Sequence, residues 1–128
     1  ILPEYLQYGG PAAFQIRVVL AATLGATYGI YGPSYENFDA RPVRPGSEEY
    51  LDSEKYQLRK WDWESPNVFC EFIARVNAIR RENPALHADR RLRFYQSDNE
   101  QIVFFGKTTE DLSNIILAVV NVDPHHVQ

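Results

Sequence analysis

A long loop, residues 34–56, is the feature that most constrains how this chain can fold. It follows a short apolar segment, residues 26–31, whose β-branched and aromatic side chains predict a buried strand that ends at Gly32 and Pro33. Loops beyond about 15 residues are uncommon in compact domains unless they bind something or are disordered. Disordered segments are poor in aromatic rings, so the sequence predicts a folded, functional loop. Its bulky residues and those just after it are Tyr35, Phe38, Tyr50, Leu51, Tyr56, Trp61 and Trp63.

Helices are predicted on both sides of this region. Residues 12–24 are almost entirely apolar, which predicts a helix that is buried on more than one face. Gly25 is suited to end it in the left-handed conformation. A second helix is predicted over residues 66–82, because Ser65 can cap its start and apolar residues recur at helical spacing up to Pro84.

The last third of the chain predicts strands. Residues 92–95, 102–106 and 115–122 are apolar runs that polar turns separate. Short links between successive strands imply an antiparallel meander. The predicted fold class is therefore α+β, with two main helices, one strand and a long loop before the meander.

Composition excludes several classes of protein. The formal net charge of −4 gives little support to a nucleic-acid partner, and no apolar run reaches the roughly 18 residues of a membrane span. Cys70 is the only cysteine, which is compatible with a cytoplasmic protein. The histidines at 87, 125 and 126 lie far from Cys70 and lack metal-ligand spacing, so no metal site is expected. No cofactor is expected either. The absence of methionine and the start at Ile1 suggest part of a longer polypeptide.

Four stretches carry a resemblance to a known family: Ile1–Gly10, Tyr28–Pro33, Arg41–Tyr56 and Asn121–His126. They resemble the bacterial maltosyltransferases that extend α-1,4-glucans from maltose 1-phosphate, the GlgE type of the α-amylase superfamily. Arg80–Leu86 is similar to a helix ending in that broader superfamily. The resemblance covers essentially the whole chain. Where an arginine would be expected after Gly10, this sequence has Pro11 directly.

The resemblance implies a fold. Residues 1–88 would be the truncated end of a (β/α)8 barrel, and residues 89–128 the start of a C-terminal β-domain. Helix 12–24, strand 26–31 and helix 66–82 would be the seventh helix, the eighth strand and the eighth helix. The long loop would then lie at the C-terminal ends of the barrel strands, where such barrels carry their chemistry.

The resemblance also implies an activity. The parent would be a retaining glycosyltransferase that moves maltosyl units from maltose 1-phosphate to the non-reducing end of α-1,4-glucans, and it would be a homodimer without nucleic-acid or membrane partners. The family's catalytic carboxylates lie on earlier strands, so no catalytic residue is assigned here and the isolated chain is expected to be inactive. Two functional alternatives stay open: a noncatalytic domain for glucan binding or subunit interaction, and part of an α-glucan hydrolase.

By the same resemblance, Lys55 and Tyr56 match a pair that contacts the maltosyl donor. An ammonium offers three hydrogen-bond donors to sugar or phosphate oxygens, and a tyrosine offers an apolar ring beside a hydroxyl. Without the resemblance, a structural or surface role would be the more ordinary interpretation of both residues.

Other polar and aromatic residues have two interpretations each. The acidic residues of the loop are either a solvated face or a catalytic set, and its two arginines either order those carboxylates or bind phosphate. The two tryptophans could form a sugar platform, but we expect them to anchor the returning helix in the core. The C-terminal histidine pair could indicate a metal or a base, but we expect it on the surface. These residues are Glu48, Glu49, Asp52, Glu54, Arg41, Arg44, Trp61, Trp63, His125 and His126.

Overall fold

The chain forms a helical layer that is followed by a small antiparallel sheet. The fold is a computed structural model that describes residues 1–53, 57–64 and 68–128. The described elements are the α-helices α1 (Glu4–Tyr8), α2 (Gly10–Leu24), α3 (Gly32–Glu36) and α4 (Val68–Glu82), a 3₁₀ turn (Pro84–His87), and the strands β1 (Leu92–Tyr95), β2 (Ile102–Thr108) and β3 (Ile115–Asn121).

Helix α2 confirms the first predicted helix and begins two residues earlier than expected, at Gly10. Its buried side chains, Ala13, Phe14, Val18 and Ala22, form one stripe along the helix. The prediction of burial on more than one face holds in part for the described chain, because α1, α4, β3 and the 3₁₀ turn all contact this helix. An open apolar groove of about 470 Å³ is also bordered by α2 and residues 29–31.

Gly25 ends α2 by a different route from the predicted one. Its φ of −88° and ψ of 147° are extended, so the left-handed prediction is wrong. A Cβ at this position would lie 2.8 Å from the carbonyl oxygen of Thr27. Glycine is therefore suited to this site because the chain folds closely back on itself.

The predicted strand over residues 26–31 is absent from the described chain. A strand needs a neighbouring strand that forms hydrogen bonds with its backbone N–H and C=O groups. No described segment pairs with these residues. At Ala26, side chains form these hydrogen bonds instead. The Ala26 N–H donates to Asp89 Oδ1 at 2.6 Å, and Arg80 Nη2 donates to the Ala26 carbonyl at 2.7 Å. The α+β class is confirmed, whereas the barrel remnant stays a prediction.

The second helix is confirmed up to its end at Glu82, and residues 65–67, where its start was predicted, lie outside the described residues. Asn83 after it is extended, as expected for a residue that precedes proline. The three-stranded meander is also confirmed, in the order β1-β2-β3 and antiparallel throughout. Strand β2 runs two residues beyond its predicted end, to Thr108.

The main core lies where the loop folds onto α2 and α4. The ring centroid of Phe14 lies 5.0 Å from that of Tyr35 and 5.5 Å from that of Phe38, and the Phe38 ring lies tilted against Phe69 at 4.3 Å between centroids. Tilted and edge-on pairs at these separations are the favoured aromatic geometries. These aromatic residues hold the described part of the loop, residues 34–53, against the helices, which confirms that this part is folded.

The sheet is joined to the helices by polar contacts. Lys107, fully buried on β2, donates from Nζ to the Leu24 carbonyl at 3.0 Å. Arg80 donates to the carbonyls of Ala22 and Gly25 at the same end of α2. Two cations thus cap the end of α2, where unpaired carbonyls concentrate negative charge.

None of the described helices has the length and apolar character that a membrane crossing needs.

Candidate functional site

The loop has local structure that fixes its path. Pro33 lies in the first turn of α3, where its fixed φ suits a helix start. Further along, the Val43 N–H donates to the Glu49 carbonyl at 2.9 Å, and the Leu51 N–H donates to the Arg41 carbonyl at 2.8 Å. These bonds close residues 41–51 into a narrow hairpin, so the loop presents a defined surface.

Asp39 is the centre of this surface. Only 6% of the residue is exposed, and its carboxylate accepts hydrogen bonds from Arg59 Nη2 at 2.5 Å and from Arg41 Nε at 2.9 Å. Burial by itself would raise the pKa of this carboxyl, but the hydrogen bonds from Arg41 and Arg59 outweigh it and hold the pKa below its usual value. Asp39 is therefore a fixed anion that ties the start of the loop to the segment that follows it.

Arg59 extends this contact to Trp61. Its guanidinium lies 4.1 Å from the centre of the Trp61 ring, and its Nη1 donates to Ser34 Oγ at 3.3 Å. Only 17% of the Arg59 side chain is exposed. A guanidinium over an indole is a favourable cation–π pair, worth more when it is shielded from water. Arg59 therefore links the two residues: it donates a hydrogen bond to Asp39 and lies against the ring of Trp61.

Two adjoining cavities open beside these residues. The larger, of about 850 Å³, lies between the segment around Asp39 and the segment around Arg59. The smaller, of about 520 Å³, lies between the latter segment and the start of α3. Both are in or near the size range of small-molecule sites. The residues that border both cavities are Asp52, Gln57, Leu58, Arg59 and Trp61.

The two tryptophans are not core anchors. Trp61 is half-buried at the cavities, and Trp63 is 62% exposed. The expectation that both anchor the returning helix is wrong, because the core position near the helix start is occupied by Phe69, which is 1% exposed. Of the two, only Trp61 borders the cavities described here.

The predicted donor-binding pair, Lys55 and Tyr56, lies outside the described residues, as does Glu54. The described residues on either side of them are Ser53 and Gln57, and both border the smaller cavity. The assignment of the pair therefore stays a prediction.

The main partner of Arg41 is Asp39, which is not among the acidic residues that the sequence analysis considered, although the charge of Asp52 also helps to raise the pKa of Arg41. Arg41 Nε lies 2.9 Å from Asp39 Oδ1, and Glu48 and Glu49 are exposed. Asp39 is both nearer in sequence and shielded from water, which makes it the stronger partner. Arg44 is exposed in the hairpin turn, where its carbonyl accepts from the Ser47 N–H at 3.1 Å.

Exposed acidic residues of the hairpin fit the solvated-face interpretation. Glu48 and Glu49 face water, and Asp52 Oδ1 accepts from Gln57 Nε2 at 3.4 Å.

His125 and His126 are exposed, as expected, and His126 Nδ1 lies 2.8 Å from Asp123 Oδ2. Within the described ranges, no three His, Cys, Asp or Glu side chains are grouped so that they could hold a metal ion.

Sequence reasoning missed Asp39 and Arg59. They are separated by 20 positions, and neither lies in a periodic pattern that would mark it as buried. The available signal was weak: one acidic residue directly after Phe38, in a segment with several arginines. Only the fold of the loop brings the pair together.

Known proteins resemble the whole chain. It is 48% identical over 128 residues to the α-1,4-glucan:maltose-1-phosphate maltosyltransferase of Myxococcus xanthus, which covers all of this chain and 19% of that protein. It is 53% identical over 125 residues to the maltosyltransferase of the same name from Rhodospirillum rubrum, covering 98% of this chain and 18% of that protein. A third relative, maltosyltransferase 2 of Streptomyces coelicolor, is 48% identical over 132 residues and covers the whole chain and 19% of that protein.

A family model described as GLGE, C-terminal, matches residues 94–128. The resemblance predicted from the sequence motifs is therefore confirmed. The chain spans about a fifth of the length of the curated relatives it matches.

Proposed function

We propose that this chain is part of an α-1,4-glucan:maltose-1-phosphate maltosyltransferase and that it supplies substrate-binding residues without catalytic carboxylates. The observation that carries this proposal is the identity of 48% to such an enzyme across all 128 residues. The complete protein would transfer maltosyl units from maltose 1-phosphate to the non-reducing end of α-1,4-glucans. The relatives named above carry that activity in their names.

The described residues support a binding role. Retaining glycosyl transfer needs one carboxylate as nucleophile and one carboxylic acid as proton donor. Asp39 is the only buried carboxylate in the part of the chain that the structure describes. It is held ionised between two guanidinium groups, so it has no proton to donate, and its oxygens are engaged and shielded. Asp39 is therefore unsuited to either catalytic role, and the resemblance places the catalytic carboxylates on earlier strands of the complete enzyme.

We further propose the family's architecture for the complete protein: residues 1–88 as the end of a (β/α)8 barrel and residues 89–128 as the start of a C-terminal β-domain. The match of residues 94–128 to a C-terminal family model supports this division. The open groove along α2 supports it as well, because barrel helices are covered on the side that faces the strands. A cytoplasmic location and a homodimer belong to the same proposal, with the lone cysteine as support for the location.

Lys55 provides the test. If its ammonium contacts the donor, then Lys55→Ala in the complete enzyme removes a charge-assisted hydrogen bond worth roughly 1.5 to 3 kcal/mol. The expected result is a loss of about ten- to a hundred-fold in kcat/KM for maltose 1-phosphate. The assay is phosphate release with glycogen as acceptor. Arg90→Ala, at an exposed position before the sheet, is the control and is expected to leave kcat/KM unchanged.

Three outcomes would contradict parts of this proposal. A wild-type protein that binds glucan but releases no phosphate would be a noncatalytic domain. Release of free maltose without extension of the glucan would indicate a hydrolase. Equal kinetics for Lys55→Ala and the wild type would remove Lys55 from the donor site.

A further inference from the structure

We propose that Trp61 is the stacking platform for an α-linked glucosyl ring and that Asp39 holds this platform in place through Arg59. This inference rests on the proposed function, since it assigns a sugar subsite within the same loop. Sugar rings have apolar C–H faces that pack on indole, while their hydroxyl groups bind nearby polar side chains.

The position of Trp61 fits this role. Trp61 borders both cavities and is half-buried, so the protein covers part of the residue and leaves part of it exposed. Trp63 lies two residues away and is 62% exposed, but it borders neither cavity. The two indoles thus differ in their surroundings while sharing the same chemistry.

The ring of Trp61 is held before any ligand arrives. Arg59 lies against it at 4.1 Å, and Arg59 is fixed by Asp39 Oδ2 at 2.5 Å and by Ser34 Oγ at 3.3 Å. Asp39 is itself buried and immobilised by a second arginine. Binding to a ring that is already ordered avoids most of the entropic cost of fixing a large side chain.

The larger cavity suits an uncharged, hydroxyl-rich ligand. Its walls carry three acidic and three basic side chains, so no excess charge favours an anion, and two amide side chains add both donors and acceptors. These residues are Asp39, Asp52, Asp62, Arg41, Arg59, Lys60, Asn37 and Gln57. A linear α-1,4-glucan has this chemistry, and so does the sugar portion of maltose 1-phosphate.

The decisive experiment compares Trp61→Leu with Trp63→Leu in the full-length protein. Leucine keeps apolar bulk at the site but lacks a flat ring. Binding is measured by titration calorimetry, separately for maltoheptaose and for maltose 1-phosphate, so that it does not depend on turnover. We expect Trp61→Leu to weaken the affinity for one of the two ligands by about ten-fold or more, and Trp61→Phe to recover most of that lost affinity. Trp63→Leu should change neither affinity by more than about two-fold.

The arms of this experiment identify the sugar. Weakening confined to maltoheptaose assigns Trp61 to the glucan acceptor, and weakening confined to maltose 1-phosphate assigns it to the donor. Equal effects of Trp61→Leu and Trp63→Leu, or no effect of either, would overturn the proposal. Maltoheptaose binding through Trp61 without phosphate release would instead refute the proposed function and leave this inference standing.

A measurement on the wild-type protein guards against a variant that fails to fold. Mild oxidation of tryptophan, followed by peptide mass spectrometry, reports the accessibility of each indole. A saturating concentration of the ligand that Trp61 binds should protect Trp61 and leave Trp63 as reactive as before. Unchanged oxidation of Trp61 in the presence of both ligands would overturn the proposal.

Discussion

Replacing Asp39 by asparagine tests whether this residue holds the loop together. The substitution keeps the shape of the side chain but removes its charge. The carboxylate is 4% exposed and receives the shielded hydrogen bond from Arg59, whereas its other partner, Arg41, is 64% exposed. A shielded charge-assisted bond contributes roughly 1.5 to 3 kcal/mol, and a surface ion pair contributes about 0 to 1 kcal/mol. We therefore expect Asp39→Asn to lower the free energy of unfolding by about 2 to 3 kcal/mol at pH 7.

Urea unfolding followed by circular dichroism measures this loss. With a slope of about 2 kcal/mol per molar urea, the midpoint should fall by about 1 M or slightly more. The matched control is Asp98→Asn, because Asp98 is an exposed aspartate in the turn between β1 and β2. The control should remain within about 0.5 kcal/mol of the wild type.

The pH dependence gives the same prediction a second, independent form. The pKa of Asp39 is lower in the folded protein than its ordinary value of 3.8. At pH values above the ordinary pKa, the carboxylate is ionised in both states and contributes its full stability. That contribution is lost as the pH falls through the lower pKa of the folded state. The difference between wild type and Asp39→Asn should therefore narrow below about pH 4.

Two results would refute this account of Asp39. A loss below about 0.5 kcal/mol at pH 7 would show that water replaces the arginines at little cost. A loss that keeps the same size from neutral pH down to the onset of acid unfolding would show that the charge of the carboxylate is not the source of the stability.

In each of two further pairs of substitutions, the two variants are expected to have different free energies of unfolding in urea. Tyr50→Phe should leave the free energy of unfolding unchanged or raise it by up to about 1 kcal/mol, because the Tyr50 hydroxyl is buried and has no partner among the described residues. Tyr35→Phe should lower it by about 1 kcal/mol, since it removes a buried bond of 2.7 Å to a carbonyl of α2. Arg80→Ala should lower it by about 3 kcal/mol, because four carbonyls lose a cationic donor, whereas exposed Arg81→Ala should change it by less than about 0.5 kcal/mol. The opposite order within either pair would contradict the corresponding contact.

Helices and the meander could be predicted because their signals are local. Helix α4 has apolar residues at helical spacing and a proline after its end, and the strands alternate with polar turns. The segment 26–31 has the composition of a strand but lacks a partner among the described residues. Strand propensity measures the fit of a side chain to a pleated surface. It cannot supply the neighbouring backbone, so the local signal was insufficient there.

Two short helices were missed for a different reason. Gly32 and Pro33 have the pattern of a break after a strand, but proline is also favoured in the first turn of a helix. The five residues of α3 are too few to show a periodic pattern. Helix α1, also five residues long, directly precedes α2 and is equally too short for such a signal. Short helices of this kind depend mainly on tertiary packing, which the sequence pattern does not contain.

The aromatic content of the loop correctly predicted that its described part, residues 34–53, is folded, but it could not predict which ring would have which role. Tyr35 and Tyr50 are buried, whereas Trp61 is half-buried at the cavities and Trp63 faces water. This distribution depends on the path of the loop, which the bonds of Asp39 fix in part. A carboxylate that orders two arginines at once determines where the following segment lies, and so places Trp61 beside the cavities. The contact between Asp39 and Arg59, which the sequence pattern does not show, therefore helps to set the exposure of Trp61, on which the sugar proposal depends.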